Sequence, residues 1–450
     1  MRGAAGVAHA AEAHVSLATP ATGLLGILIL LALLLAGGRI GAVLGLVGVG
    51  GLALILGPEA ALIKGGVVVI DTMTRYELGT LPLFLFMAHI FFSIDASRDL
   101  FDAAAKFLGH RRGGLAYAGI AGCAGFGAIN GSSLATTATV GLVAYPEMHR
   151  RGYDKGLATA TIAAGGTLGQ MIPPSGALIV FGIIAEQSIG MLFTAAIIPG
   201  ITQALLYAIV IFILVRLNPA LAPAGERAPW ADRLRALSRI WEIAVLVLLV
   251  IGGIAMGWMS PSEAAAIGAA GALLIAAMRR KLDREALFQA FGETLRTTGL
   301  IYLIIFGALL FSTFIAVTGL PDTLGSLITG MGLGTFWTLV LIALLLLLLG
   351  TVLDGLAMML LMTPILLPIV DGVGMSAIWF GIFLVRAMEV GFLTPPLGIN
   401  LFVMQGVAKD VSITQIFRGV TPFLASDVFH LLLIILFPAM VMWLPGVLGV

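Results

Sequence analysis

Charge is scarce in this chain. Of its 450 residues only 10% are Asp, Glu, Lys or Arg, while 60% are hydrophobic and the mean hydropathy is +1.11. A water-soluble domain keeps roughly 25% charged residues, so this chain cannot clothe itself in a surface that faces water. That excludes a soluble globular protein and makes the lipid bilayer its surroundings. Cysteine is almost missing as well. Cys123 stands alone, which excludes an intrachain disulfide and a Cys-ligated metal centre. No G-x-x-x-x-G-K-[ST] run occurs, so the chain does not hydrolyse ATP by a P-loop. The formal charge of +1 carries no message about partners, because charge is segregated along the chain rather than absent. Neither a nucleotide, an organic cofactor nor a nucleic-acid partner is expected.

What is present is a duplication. Residues 131–199 recur, more loosely, 222–224 positions later. Gly131 and Gly355, Pro146 and Pro368, Pro173–Pro174 and Pro395–Pro396, Ser188 and Ser412, and Pro199 and Pro422 all fall in register. Matched Gly and Pro interruptions in the two halves of a hydrophobic chain are the sequence mark of a secondary transporter.

Segments long enough to cross a hydrocarbon core of roughly 30 Å are read at 22–38, 40–57, 80–96, 191–216, 240–258, 262–278, 298–318 and 420–445. Stretches 114–147 and 336–370 are apolar but interrupted midway, at Asn130–Ser132 and Asp354–Gly355, and read as re-entrant hairpins. Stretches 157–186 and 377–408 carry Gly169–Pro174 and Gly391–Gly398 and read as helices broken at mid-membrane. Gly41-xxx-Gly45 and Gly48 are expected to serve close helix packing. Asp71–Gly79 and Arg279–Arg296 read as interfacial amphipathic stretches. Residues 1–22 hold Arg2 and an Ala-rich polar run without a signal-peptide pattern, so Gly23–Gly37 is read as a retained span. The expected layout is an N-terminal extension 1–22, a first repeat 23–217, an Arg-rich linker 218–239 and a second repeat 240–450. Together these form one all-α polytopic membrane domain.

Orientation follows from the basic residues. If each hairpin enters and leaves on one side, a single face collects Arg39, Arg98, Lys106, Arg111, Arg112, Arg150, Arg151 and Lys155. It also collects Arg216, Arg227, Arg233, Arg235, Arg239, Arg279, Arg280, Lys281, Arg284, Arg296, Lys409 and Arg418. That is 20 of the 24 Lys and Arg residues, and the positive-inside rule makes this face cytoplasmic. The flanks of the second hairpin, Gly319–Gly334 and Asp371–Ser376, contain no Lys or Arg, so it opens outward. The two repeats are therefore inverted with respect to each other.

Non-helical backbone is tolerated at membrane depth only inside protein or along a polar cavity. Each break exposes carbonyls, which suit a small cation, and N–H groups at the next helix start, which suit an anion. One tip carries Asn130, Gly131, Ser132 and Ser133, facing a break with Gly169, Pro173 and Ser175. The other carries Thr351, Asp354 and Gly355, facing Gly391, Thr394, Pro395, Pro396, Gly398 and Asn400. Carbonyls, hydroxyls and one carboxylate make a hard-oxygen set appropriate for Na⁺. Asn130, Gly131, Ser132, Gly169, Asp354, Gly355, Gly391 and Thr394 are its candidate ligands, and Ser133, Ser175, Pro395, Pro396 and Asn400 candidate substrate contacts. Arg386 lies in an apolar span, where charge is expensive and by default functional. It either faces the substrate or pairs with Glu389, one turn on. His89 and His430 have no partner at ligand spacing. An enzyme using Ser132 as nucleophile would need a base on the hairpin helices, and none is offered.

Four ordered runs, GFGAINGSSLATTAT (Gly125–Thr139), GGTLGQMIPPS (Gly165–Ser175), SPSEAAAIG (Ser260–Gly268) and GFLTPPLGIN (Gly391–Asn400), resemble the large membrane subunit of tripartite ATP-independent periplasmic (TRAP) transporters. The resemblance runs from about residue 23 to the C-terminus. It implies an elevator-type, Na⁺-driven importer in the bacterial inner membrane, with a fold similar to divalent-anion symporters. It also implies a small four-helix membrane subunit, here as a separate chain, and a periplasmic binding protein that delivers an organic acid. By motif, Asn130–Ser133 and Asp354–Gly355 would be the hairpin tips, with Gly165–Ser175 and Gly391–Asn400 as the facing loops. A stand-alone divalent-anion symporter is the alternative.

The charge count makes a direct forecast. With Cys123 replaced by serine, a single cysteine at Ser326 should react with a membrane-impermeant thiol reagent in whole cells, and one at Ser238 should not. Equal labelling would contradict the inverted arrangement.

Overall fold

The computed structural model describes residues 17–396 and 398–449, and among these every regular element is a helix. The N-terminal extension therefore lies outside the described residues as far as residue 16. The first helix, Pro20–Leu35, starts where the Thr19 hydroxyl accepts the Thr22 amide at 3.3 Å.

Both interrupted hairpins are pairs of helices. The first is Gly114–Asn130 and Ser133–Arg150, the second Thr335–Gly350 and Gly355–Gly372. The broken helices are Lys155–Met171 with Gly176–Ile184, bent by 40°, and Ala377–Leu393 with Ile399–Val407. The Pro173–Pro174 and Pro395–Pro396 bonds are cis. Three of the four new starts are capped by a side chain that the sequence supplies, Ser132, Ser175 and Asp354 accepting amides of the following turn, while the fourth, at Gly398, has no side-chain cap.

Helix order repeats between the halves. Pro20–Leu35, Ile40–Leu56 and the Pro58–Ser93 region correspond to Trp241–Ala255, Pro261–Met278 and Arg284–Val317. Ala96–Leu108 corresponds to Leu320–Gly330, and Ile189–Leu217, which follows the first broken helix, to Ile413–Leu436. Packing exchanges the halves reciprocally. Ile40–Leu56 lies along Arg284–Val317, and Pro261–Met278 along Thr80–Ser93. These contacts make a scaffold. The hairpins pack instead on the broken helices, and the second arm, Ile399–Val407, crosses to the first hairpin. The scaffold seam is as close as backbones allow: a Cβ on Gly307 would come 2.3 Å from the Gly41 carbonyl oxygen, and one on Gly48 2.6 Å from the Phe311 nitrogen. With no water to drive apolar helices together, small residues that let backbones approach are what hold such a pair.

The segments assigned to the basic face meet one another. Gly113 and Asp154 donate backbone N–H bonds to Ala222 and Leu221 at 3.3 and 2.8 Å, so the linker lies against the base of the first hairpin. Arg279 pairs with Asp99 at 2.7 Å and Glu242 at 2.9 Å, and Lys281 with Asp95 at 2.9 Å. Away from this face, Arg75 pairs with Glu186 at 2.7 Å.

Three readings of the sequence need correction. Arg279–Arg296 is not a separate stretch: from Arg284 it belongs to a single 34-residue helix, capped by Asp283, that runs on to Val317 with no proline to stop it. In the first half the equivalent region is two helices, Pro58–Thr74 and Thr80–Ser93, joined by a short 3₁₀ turn at Tyr76–Gly79 where an interfacial stretch was expected. The last expected span, 420–445, is two helices, Ile413–Leu436 and Ala439–Leu448. They part at Phe437–Pro438, where proline has no N–H to continue the ladder.

The scaffold seam gives a test. Gly307→Val overfills it and should cost about 1–3 kcal/mol, read as a lower thermal midpoint in detergent. Gly292→Val, on the same helix where an added Cβ meets nothing within 4 Å, should leave the midpoint unchanged.

Candidate functional site: two hairpin tips against two helix breaks

At the first tip Gly131 takes φ +62°, a left-handed turn that glycine adopts freely. A Cβ there would lie 2.5 Å from the Pro174 carbonyl oxygen, and one on Gly169 would lie 2.8 Å from the Ser132 carbonyl oxygen. Tip and break are thus pressed together, and these glycines bring their carbonyls close. Asn130 folds over the turn: its Oδ1 accepts the Ser132 amide at 2.6 Å, and its Nδ2 donates to Thr136 Oγ1 at 2.9 Å. The Gly176 amide donates across the junction to the Gly131 carbonyl at 3.3 Å. Pro173, Pro174 and Ser175 are buried.

The second half contributes to this junction. Asn400, fully buried, donates through Nδ2 to Ser133 Oγ at 2.8 Å and to the Ala163 carbonyl at 3.1 Å, and its Oδ1 has no partner among the described residues. Nor, among the described residues, has the buried Thr137 Oγ1. Two of the expected substrate contacts, Ser133 and Asn400, therefore touch although 267 residues separate them. A cavity of about 820 Å³ reaches Asn130, Ser132 and Ala135 from the scaffold side, and its wall continues to Asp95, Asp283 and Glu285 at the basic face.

The second tip is looser. Gly391 and Gly350 are in backbone contact, since a Cβ on Gly391 would lie 2.9 Å from the Gly350 carbonyl oxygen, and Gly355 lies beneath Met388 and Phe392. Asp354 Oδ2 accepts the Leu356 amide at 3.1 Å and borders a cavity of about 160 Å³ with Leu34, Gly38 and Ile40. The Thr394 hydroxyl bonds back to Val390 at 2.6 Å, and Thr351 likewise to Leu348 at 2.7 Å. Pro395 and Pro396 are exposed where their counterparts are buried, and Leu397 lies outside the described residues.

Arg386 belongs to neither tip. It is 0% exposed and resolves the alternative left open by the sequence: Nη1 pairs with Glu389 at 2.7 Å, and Nη2 with a second carboxylate, Asp427, at 2.5 Å. Gln203 Nε2 also donates to Asp427, at 2.6 Å. The substrate role expected for Arg386 is corrected on this geometry, because its guanidinium is spent on buried carboxylates. Asp427 and Gln203 escaped the sequence reading. The available signal was an aspartate in an apolar span, a residue that requires a partner on another helix. His430 finds such a neighbour, Thr202, at 2.9 Å.

A scaffold of exchanged helices around a unit of paired hairpins and broken helices is the architecture of a membrane transporter. Two solved transporters share it. The YdaH transporter of Alcanivorax borkumensis matches with a TM-score of 0.59 over 92% of this chain and 97% of that one at 16% identity. Neisseria gonorrhoeae MtrF matches with a TM-score of 0.58 over 87% and 85% at 13% identity. At such identities the likeness is one of fold. The sequence is more specific: the family described as tripartite ATP-independent periplasmic transporter, DctM component, matches residues 27–440. The chain is 33% identical over 84% of its length to the C4-dicarboxylate TRAP transporter large permease protein of Pseudomonas aeruginosa, covering 88% of that protein. It is 30% identical over 82% to the sialic acid TRAP transporter large permease protein of Vibrio cholerae, covering 86% of it. The chain belongs to the DctM family of TRAP transporter large permease proteins and is a multi-pass protein of the bacterial inner membrane.

The buried cluster makes a graded forecast. Arg386→Leu strands two carboxylates and should cost about 3–5 kcal/mol, measured as lost thermal stability. Adding Glu389→Gln should restore only part of it, and adding Asp427→Asn the rest. Full recovery with Glu389→Gln alone would remove Asp427 from the balance.

Proposed function

We propose that this chain is the large permease subunit of a Na⁺-coupled secondary importer of organic acids. It works with a small four-helix membrane subunit and receives its substrate from a periplasmic binding protein. The observation that carries this reading is the apposition of each hairpin tip to a helix break, with Asn400 of one half seated on Ser133 of the other. Such a junction offers backbone carbonyls and hydroxyls to a hard cation and helix N-termini to a carboxylate. The relatives carry the names of acids, a C4-dicarboxylate and sialic acid, which supports an organic acid as cargo.

In this reading the scaffold stays fixed, and the hairpins and broken helices move past it as one body, carrying ion and substrate in an elevator cycle. The inner cavity along the first tip is the route of release. Na⁺ is held by carbonyls near Gly131 and Gly169 at one tip, and by Asp354 and carbonyls around Gly355 and Gly391 at the other. Serving as a transporter subunit, the chain needs no catalytic residue.

Uptake into proteoliposomes should require an inward Na⁺ gradient at clamped pH and proceed without ATP. Asp354→Asn should raise the half-saturating Na⁺ concentration while leaving the amount of folded protein unchanged. Full transport with K⁺ in place of Na⁺ would reject Na⁺ coupling. Full transport by this chain alone, without the small subunit and binding protein, would favour a stand-alone divalent-anion symporter.

A further inference from the structure

We propose that a groove beside the first hairpin binds an anionic phospholipid of the cytoplasmic leaflet, with an acyl chain in its apolar trough and the phosphate on Arg111 and Arg112. The groove encloses about 610 Å³ between Gly114–Asn130 and Ile189–Leu217, and Ile120, Ala124, Ile172, Leu205 and Phe212 line it. Every side chain there is apolar except at one end, where Arg111, Arg112 and Tyr117 close it.

Charge and depth select the occupant. Arg111 and Arg112 are exposed, and among the described residues neither forms an ion pair. Of the other basic residues flanking this hairpin, Arg150 and Arg151 pair with Glu147 and Lys155 with Asp410, while Arg98 and Lys106 form no ion pair among the described residues but do not line the groove. Two arginines left without carboxylates at the edge of an apolar trough complement an anionic headgroup. Their level is fixed by Gly113, where a Cβ would lie 3.2 Å from Val215 and 3.3 Å from Ile211, beside the last turns of the helix that ends with Arg216 and Leu217. This is the cytoplasmic end by the distribution of positive charge.

Length separates a lipid from a protein helix. The trough follows Ile189–Leu217 from Phe212 to Ile201, about 16 Å at 1.5 Å per residue. It stops at Ile172, where the first broken helix turns. That is one leaflet of a core roughly 30 Å thick. An acyl chain fills it, whereas a transmembrane helix of a partner needs a trough of the full height.

Native mass spectrometry of the purified full chain, with phosphatidylglycerol and phosphatidylcholine of identical acyl chains, tests the assignment. The wild-type chain should retain phosphatidylglycerol preferentially. Arg111→Ala/Arg112→Ala should weaken its retention about 30-fold, each basic residue near an anionic surface contributing about fivefold. Ala121→Trp, which fills the trough and keeps both arginines, should lower retention of phosphatidylglycerol as well. Arg280→Ala/Arg284→Ala, on the scaffold side of the basic face, should leave retention unchanged. Equal retention by the wild type and the Arg111/Arg112 double variant overturns the proposal, as does an equal loss in the Arg280/Arg284 control. Should inorganic phosphate displace the lipid, the arginines are a free-anion site and the trough has no part in binding. Should a purified partner subunit displace it, the groove is a protein interface.

Discussion

Hydrocarbon offers nothing to a backbone N–H or C=O, and the rest of this structure follows from that constraint. The chain interrupts its own helices four times, and each interruption must be covered by protein or line a polar cavity. It does so by setting tip against break. Gly131 lies on the Pro174 carbonyl, Gly169 on that of Ser132, and Gly391 on Gly350. A methyl group at any of these positions would open the junction and expose the peptide groups that it shelters. The caps Ser132, Ser175 and Asp354 satisfy the amides that glycine packing leaves over. The same covering that makes the breaks tolerable concentrates carbonyls and helix starts at two places, so structural necessity and ion chemistry share their residues.

Charge obeys the same rule. Basic residues gather on one face, where Arg279 and Lys281 pair with Asp99, Glu242 and Asp95. A buried exception is Arg386, whose two carboxylates come from its own helix and from Ile413–Leu436, with Gln203 of Ile189–Leu217 completing the group. A lone buried charge would be strongly unfavourable, and a paired one is a cross-link. It ties the second broken helix to the equivalent helices of both halves, so the moving unit proposed here is joined at its centre by ions and at its tips by glycine contacts.

The scaffold is held differently. Ile40–Leu56 and Arg284–Val317 meet through Gly41, Gly48 and Gly307 without ion pairs between them among the described residues, and dispersion over a close backbone seam does the holding. A rigid apolar frame beside a polar, glycine-rich unit gives two bodies with different internal adhesion. The groove at Arg111 and Arg112 adds an asymmetry on the unit's lipid-facing side, with charge at the headgroup level and an apolar trough one leaflet deep.

Much of this was legible in the residues. The 222–224-residue register located both hairpins and both breaks, because glycine and proline act locally: each changes the backbone where it stands, whatever surrounds it. The basic-face count grouped segments that do meet in the structure, because the cost of burying charge depends little on tertiary detail. Helix continuity was less legible. Nothing local distinguishes the amphipathic start of Arg284–Val317 from an interfacial segment, and only packing along Ile40–Leu56 carries it on as one helix. Beyond the local Arg386–Glu389 pair, side-chain partners were not legible. Asn400 on Ser133, Gln203 on Asp427 and Asp427 on Arg386 join residues 41 to 267 positions apart, and sequence spacing conveys no distance between separate helices. The residue order by itself determined where the backbone breaks and which segments carry the basic face. Only the tertiary structure decided which polar atoms meet, and thereby that Arg386 is a buried cross-link rather than a substrate contact.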